Sequence, residues 1–225
     1  MSGTWRIGAG IALALALVGV CAWMFAINWA PPRQDFALQG VDVSDEDGRI
    51  DWFTVKAADV DFAYLRATAG ADVRDAMFAE HWAALYEAGI PRGAIHVYSL
   101  CRLAADQAKS FVATVPRDPG ALPPAIDLSF QPDCPARPER DVVLNEVREL
   151  ATVIETHSGK PAILRISPAF EAQYAVSAAI PRTLWSSGMF FPPSYLARPW
   201  RMWQASAMRR IEGIERPVNW DVVAP

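Results

Sequence analysis

The sequence predicts an irregular α/β barrel of eight strands, preceded by one transmembrane helix. The first observation is that short β-rich apolar runs alternate with helical patterns through most of the chain. The second is that the last three strands have almost no room for helices between them, which makes the barrel irregular at its C-terminal end. The third is a long apolar segment without charges that precedes the first strand.

That apolar segment covers residues 7–30. A helix of this length rises roughly 36 Å, enough to cross a hydrocarbon core of about 30 Å. Three tryptophans lie towards its ends, where indole rings favour the membrane interface: Trp5, Trp23 and Trp29. We therefore expect residues 1–30 to be a membrane anchor and residues 31–38 a linker to a domain over residues 39–225.

A cleaved signal peptide is the alternative to a retained anchor, because small residues near Val20–Ala22 suit a cleavage site. The domain would then be secreted. The apolar run continues past that point, which favours retention. A short basic N-terminal tail carrying Arg6 normally stays in the cytoplasm, so we expect the remaining chain on the periplasmic or extracytoplasmic side.

The charge balance argues against nucleic acid as a partner. The chain has 25 acidic residues against 21 lysines and arginines, a net charge of −4. Arg6 is the only charged residue among residues 1–30, so the exported part is more acidic still. Nucleic-acid binding needs basic surface to neutralise phosphates, and this composition does not supply it.

The eight strand patterns cover residues 40–44, 61–68, 93–99, 124–130, 161–167, 183–187, 201–206 and 218–223. Helical patterns cover residues 51–59, 74–89, 103–115 and 139–159, between the first five strands. Gly89 and Gly159 suit left-handed helix caps. Such alternation implies parallel strands with right-handed crossovers. An open doubly wound sheet is the alternative, but no glycine-rich phosphate loop supports it.

Cys101 and Cys134 each follow a predicted strand closely. If the two strands are neighbours, the loops after them leave the same edge of the sheet, and a disulfide is feasible. An exported domain permits such a bond, whereas two reduced thiols are the alternative.

Ionisable residues fall at or near the C-terminal ends of the predicted strands, where the loops of an α/β barrel meet at one mouth. These residues are Asp42, Arg66, His96, Asp127 and Arg165, with Asp221 inside the last strand. Trp185 and Trp203, in late strands, would stack on sugar rings or pack in the core. Neither metal-ligand spacing nor a nucleophile elbow occurs, so we expect no metal and no cofactor.

Several short motifs follow one another through the domain. GVDVS and GRIDW open it, a helix ending in AGIPRG precedes the next strand, LPPAIDLSF forms the fourth strand, and RMWQAS and VNWDVV form the last two. In order and spacing these motifs resemble glycoside hydrolase family 25, the lysozymes that act as N-acetylmuramidases. LPPAIDLSF falls where that family has L-P-x-x-L-D-x-E. The resemblance implies an irregular barrel that hydrolyses the β-1,4 bond between N-acetylmuramic acid and N-acetylglucosamine in peptidoglycan.

The resemblance also assigns roles within the cleft. Asp42 and Asp127 match family acids, whereas Ser129 occupies the position of the Glu that serves as general acid. Other departures from the family pattern are Ala69, Leu164, Arg165, Ala205 and Asn219. We expect Arg66, His96, Arg165, Trp185, Trp203, Asn219 and Asp221 to contact the substrate.

Ser129 cannot donate a proton usefully near neutral pH, so we expect impaired hydrolysis. Asp45, Glu46 and Asp47 follow Asp42 on the first barrel loop, and Glu46 is a candidate substitute acid. A solvated acidic loop is the alternative interpretation of this run. Two functions follow: a membrane-anchored lysozyme with an unconventional proton donor, or an inactive relative that binds cell-wall glycan or a protein partner.

Overall fold

The computed structural model describes residues 2–225, with side chains described from residue 8 onward. The helices are α1 (Ser2–Asn28), α2 (Trp52–Ala57), α3 (Phe78–Ala88), α4 (Ala104–Thr114), α5 (Arg140–Ser158), α6 (Pro168–Tyr174) and α7 (Val176–Ala179). A 3-10 helix covers Asp45–Asp47. The strands are β1 (Gln39–Val43), β2 (Phe62–Ala69), β3 (Val73–Arg74), β4 (Arg92–Val97), β5 (Ala125–Leu128), β6 (Ile163–Ile166), β7 (Thr183–Ser187), β8 (Met202–Arg209) and β9 (Val218–Val223).

Eight of these strands form a closed barrel, as the sequence predicts. Their order is β1-β9-β8-β7-β6-β5-β4-β2, and a parallel pairing of β1 with β2 closes it. The short β3 lies outside the barrel as the antiparallel partner of β2. β9 is antiparallel to both of its neighbours, which the sequence pattern does not predict. Residues 210–217 are too few for a crossover connection, so the chain turns back directly.

The four predicted helices correspond to α2, α3, α4 and α5. Between β6 and β7 the structure adds α6 and α7, which the sequence analysis did not anticipate. Ser167 caps α6 by accepting a hydrogen bond from the Phe170 amide, and Pro168 occupies the first turn. Ala175, with a φ of 46°, separates the two short helices.

Side chains along each strand point alternately inward and outward, and this divides the core into two parts. Residues that point outward pack under the helices, as Leu65 and Ile126 do. Residues that point inward fill the barrel with Phe62, Tyr64, Ile95, Ala125, Ile163, Trp185 and Met202. Above this apolar filling, at the C-terminal ends of the strands, the inward positions become polar.

Two glycines make room for the aromatic rings of β2. A Cβ on Gly40 would lie 2.2 Å from the Phe62 carbonyl oxygen and 2.6 Å from its ring. A Cβ on Gly93 would lie 2.3 Å from the Tyr64 ring. A side chain at either position would collide with β2, so the pairing of β1 and β4 with β2 requires glycine at residues 40 and 93.

The helix α1 extends away from the barrel. Its segment Gly8–Asn28 has a mean hydropathy of 2.4, with only 6% of its most apolar window buried. Its length and composition suffice to cross a membrane, although a signal sequence has the same properties. Near its end, Ile27 is buried and its carbonyl accepts a hydrogen bond of 2.8 Å from the Arg210 amide.

A disulfide joins Cys101 and Cys134. It connects the loops after β4 and β5, which are neighbours in the barrel. The bond therefore braces two loops at the C-terminal rim, 33 residues apart in sequence.

We expect a Cys101→Ser/Cys134→Ser double variant to lose about 2–4 kcal/mol of unfolding free energy, because opening this loop raises the entropy of the unfolded chain. Urea unfolding of the full chain in detergent measures the loss. Cys21→Ser, which replaces the exposed free cysteine, is the matched control and should leave the midpoint unchanged. Equal midpoints for all three proteins would contradict the prediction.

Candidate active-site cleft

A polar cleft of about 280 Å³ opens at the C-terminal rim of the barrel. Its ionisable and polar lining consists of Asp42, Ser44, Asp47, Arg66, Asp127, Ser129, Gln131, Arg165 and Asn219. A second depression of about 330 Å³ lies beside it and is bordered by Cys101 and Cys134. The two share Ala69, Val97 and Gln131, so together they form a groove across the rim.

Arg165 bridges the two aspartates of the cleft. Its Nη1 lies 2.9 Å from Oδ2 of Asp42, and its Nη2 lies 2.8 Å from Oδ2 of Asp127. Its Nε also donates to Asp127, at 3.2 Å. Burial lowers the pKa of Arg165, but the attraction of Asp127 and Asp42 outweighs it and raises the pKa overall. One permanent cation thus pairs with both carboxylates.

Amide side chains hold Asp42 from the opposite side. Asn219 donates to Oδ1 of Asp42 at 3.0 Å, and Gln204 donates to Oδ1 of Asn219 at 3.0 Å. These contacts follow from register, because Asp42 and Asn219 are paired across β1 and β9. The Asn219 hydrogen bond to Oδ1 and the ion pair of Oδ2 with Arg165 therefore fix the orientation of the Asp42 carboxylate.

Asp221 lies in the barrel interior and has no exposed surface. The Trp185 indole donates to its Oδ1 at 3.1 Å. Burial raises the pKa of Asp221 and the nearby Asp42 raises it further, whereas Arg165 lowers it. The net shift is upward, which favours a neutral carboxyl at a place where a third negative charge would be costly.

Ser129 follows β5 and lies in the cleft. Its hydroxyl accepts a hydrogen bond of 2.9 Å from Nε2 of Gln131. Gln131 also lines both depressions, although the sequence analysis did not single it out. Its position two residues after Ser129 was the sequence signal that could have predicted its place in the cleft.

Four residues predicted to contact substrate are buried and do not line the cleft: His96, Trp185, Trp203 and Asp221. His96 points outward from β4, is fully buried, and bonds to Thr68 and Gln107 at 2.8 and 3.1 Å. Trp203 also points outward and donates to the Gly188 carbonyl at 2.7 Å. Trp185 fills the barrel interior, and neither indole has surface on which a sugar could stack. The same burial rules out direct contact for Asp221.

Arg66 lines the cleft, but acidic partners surround its guanidinium. It pairs with Asp45, with Glu46 at 3.3 Å and with Asp75 at 3.2 Å. The Glu46 side chain is 73% exposed and lies outside the cleft lining, so it does not suit the role of substitute acid.

Asp47, rather than Glu46, is the carboxyl of the first barrel loop that lines the cleft. It accepts a hydrogen bond of 2.8 Å from the Ser44 amide, while Ser44 caps the 3-10 helix. Burial is the main cause that raises the pKa of Asp47; the Ser44 hydrogen bond lowers it, and the charges of Asp42 and Glu46 add to the increase. The spacing of a capping box, Ser44 followed by an acid three residues on, was the sequence signal for this placement.

Among the described residues, no group of three or more His, Cys, Asp or Glu side chains is arranged to hold a metal ion.

The model of the glycosyl hydrolases family 25 matches residues 41–214. The chain belongs to this family. The match begins within β1, covers β2 to β8 and ends before β9.

The chain is also similar to individual proteins. Lysozyme M1 of Streptomyces globisporus is 31% identical over 216 residues, covering 84% of this chain and 68% of that protein. YegX of Escherichia coli O6:H1 is 28% identical over 193 residues, covering 83% of this chain and 70% of YegX. The structure of a family 25 glycosyl hydrolase from Bacillus anthracis has a TM-score of 0.79 at 29% identity, covering 87% of this chain and 92% of that one.

We expect Arg165→Met to destabilise the protein by about 3–5 kcal/mol at pH 7, because it leaves two nearly buried carboxylates without their cation. Urea unfolding at pH 7 measures the loss, with Arg165→Lys as the control that keeps the charge. An Arg165→Met protein as stable as the parent would refute the bridging role.

Burial lowers the pKa of His96 to about 4, against an ordinary value of 6.5. Between these values the unfolded chain binds a proton that the folded protein does not, so stability falls as the pH drops through this window. The full loss is roughly 3 kcal/mol. We expect His96→Gln to lose correspondingly less stability than the parent between pH 7.5 and pH 4 in urea unfolding. Equal losses for the parent and the variant would show that His96 does not contribute to the pH dependence of stability.

Proposed function

We propose that this protein is a membrane-tethered, lysozyme-like protein of the cell envelope that binds peptidoglycan glycan strands and hydrolyses them weakly or not at all. The observation that carries the proposal is the position of Arg165 between Asp42 and Asp127. The family assignment supports cell-wall glycan as the ligand, and the relative Lysozyme M1 supports the same class. A protein partner in place of glycan is the alternative for the binding role.

Glycoside hydrolysis needs a carboxylic acid that protonates the leaving oxygen and an anionic group that stabilises positive charge at the sugar. Ser129 replaces the first of these groups. Asp127 still carries a carboxylate, but its charge is shared with Arg165 at 2.8 Å. A developing oxocarbenium ion would therefore face a neutralised ion pair. Loss of the general acid alone costs a factor of about 10²–10⁴ in rate.

The cleft keeps what a sugar-binding site requires. It is open and polar, with hydroxyl, amide and carboxyl groups such as Ser129, Gln131 and Asp47 along its lining. The adjoining depression beside the disulfide lengthens the groove, which suits a chain of sugars better than a single ring. The helix α1 supports a tether, with the barrel on the exported side of the membrane.

One observation favours residual hydrolysis as a second candidate function. Asp47 lines the cleft, and burial raises its pKa, as is typical of carboxyl groups that act as general acids. In this case Asp47 would protonate the leaving oxygen from the first barrel loop, with Asp127 as the supporting anion.

The test is to incubate the detergent-solubilised full chain with purified peptidoglycan, measuring co-sedimentation and analysing released fragments by mass spectrometry. We expect the parent to bind without releasing muramic-acid ends above the buffer control. Ser129→Glu combined with Arg165→Leu restores an acid and frees Asp127, so we expect it to gain cleavage. Adding Asp127→Asn to that variant is the matched control and should abolish the gain.

Cleavage by the parent that disappears in Asp127→Asn would contradict an inactive cleft. Asp47→Asn would then identify the donor: loss of cleavage with unchanged binding would support the second candidate. Absence of both binding and cleavage would overturn the proposal that glycan is the ligand.

A further inference from the structure

The helix α1 meets the barrel at the rim that carries the cleft. The amide of Arg210, the residue directly after β8, donates to the Ile27 carbonyl at 2.8 Å. β8 runs parallel to β7, so its end lies at the same rim as the ends of the strands that position Asp42 and Asp127. A bilayer spanned by α1 would thus begin beside the cleft and not at the opposite end of the barrel.

The loop of residues 188–194, here called the rim loop, follows β7 at this rim and touches the residue after α1. The rings of Phe190 and Trp29 are 5.1 Å apart between centroids, in an edge-to-face arrangement. The rim loop therefore lies directly next to the point where α1 leaves the barrel.

The rim loop exposes two large apolar side chains. Phe191 is 78% exposed and Met189 is 42% exposed. Between them, Phe190 has a φ of 67°, a left-handed conformation that is costly for a bulky residue. Its amide bonds to the Ala205 carbonyl at 2.9 Å, which together with Trp29 maintains this conformation. A strained backbone thus turns Phe190 inward while both of its neighbours stay in contact with solvent.

We propose that the rim loop is a second membrane contact, in which Met189 and Phe191 enter the bilayer interface beside α1. This inference rests on the proposed tether. The bilayer is the occupant that the structure favours, because Trp29 both ends the apolar segment and supports the loop. Aromatic and other large apolar side chains beside a span are stabilised in the interfacial region. Two contacts with the bilayer fix the orientation of the barrel relative to the membrane, whereas α1 alone would not. The mouth of the cleft would then lie near the membrane and bind glycan close to it.

The experiment uses the full chain in phosphatidylcholine vesicles that contain doxyl-labelled lipid as a fluorescence quencher. With Cys21→Ser as background, a fluorophore is attached at Ser194→Cys, at the exposed end of the rim loop. Tyr86→Cys, 71% exposed on α3, is the control site, since α3 packs against β2 across the barrel from β7. We expect the lipid to quench the label at residue 194 and not the label at residue 86. Met189→Ser with Phe191→Ser should remove most of that quenching.

A label on the native Cys21 separates the two proposals, because Cys21 lies inside α1. If lipid does not quench the Cys21 label, the tether itself fails. If the Cys21 label is quenched while residues 194 and 86 behave alike, the tether stands and the rim-loop contact is overturned. Quenching at residue 194 that persists unchanged in the double-serine variant would also overturn it, since the apolar side chains would not be responsible.

Discussion

The ion bridge from Arg165 to Asp42 and Asp127 holds together the polar layer of the barrel interior at the C-terminal ends of the strands. A small closed barrel must fill its interior with side chains, and here the lower layers are aromatic and aliphatic. The upper layer contains carboxylates from β1 and β5, which repel each other in a poorly hydrated place. A guanidinium from β6 makes this layer possible, because it pairs with both carboxylates at once.

The same bridge links stability to function. In a family 25 hydrolase, carboxyl groups in the cleft must be free to exchange protons and to face a developing positive charge. Here the strongest charge interactions are already satisfied within the protein, and Asn219 occupies the remaining side of Asp42. The arrangement stabilises the fold and reduces the electrostatic contrast that hydrolysis uses. Under the proposed function, Ser129 at the position where the resemblance implies a Glu acts in the same direction as Arg165.

If α1 is the proposed tether, the architecture also relates the cleft to the membrane. Since β8 ends at the cleft rim and α1 joins the barrel there, α1 and the cleft share one end of the molecule. A binding site in this place is suited to polymer near the bilayer, whereas a barrel attached by its opposite end would present the cleft outward. The polar groove, the apolar rim loop and the span form one functional surface under this view.

The sequence alone predicted the eight barrel strands, the apolar helix α1, four of the helices around the barrel and the gathering of Asp42, Asp127 and Arg165 at one mouth. These follow from period-two patterns and from the rule that parallel strands end at one rim. Sequence reasoning failed for His96 and Trp203, because a shift of one residue along a strand moves a side chain from the barrel interior to the helix side. The sequence analysis also selected Glu46 and not Asp47 as the candidate acid of the first barrel loop, because a short loop has no periodicity that shows which side chains face the cleft.

Only the tertiary structure decided the features that depend on how the barrel closes. Asp42 and Arg165 lie on strands that are not neighbours, so only the curvature of the closed barrel brings them within 2.9 Å. The antiparallel return of β9 pairs Asn219 with Asp42, and the left-handed turn at Phe190 selects which side chains of the rim loop face outward. Local patterns encode strands and faces, whereas contacts across the barrel depend on how all eight strands close together.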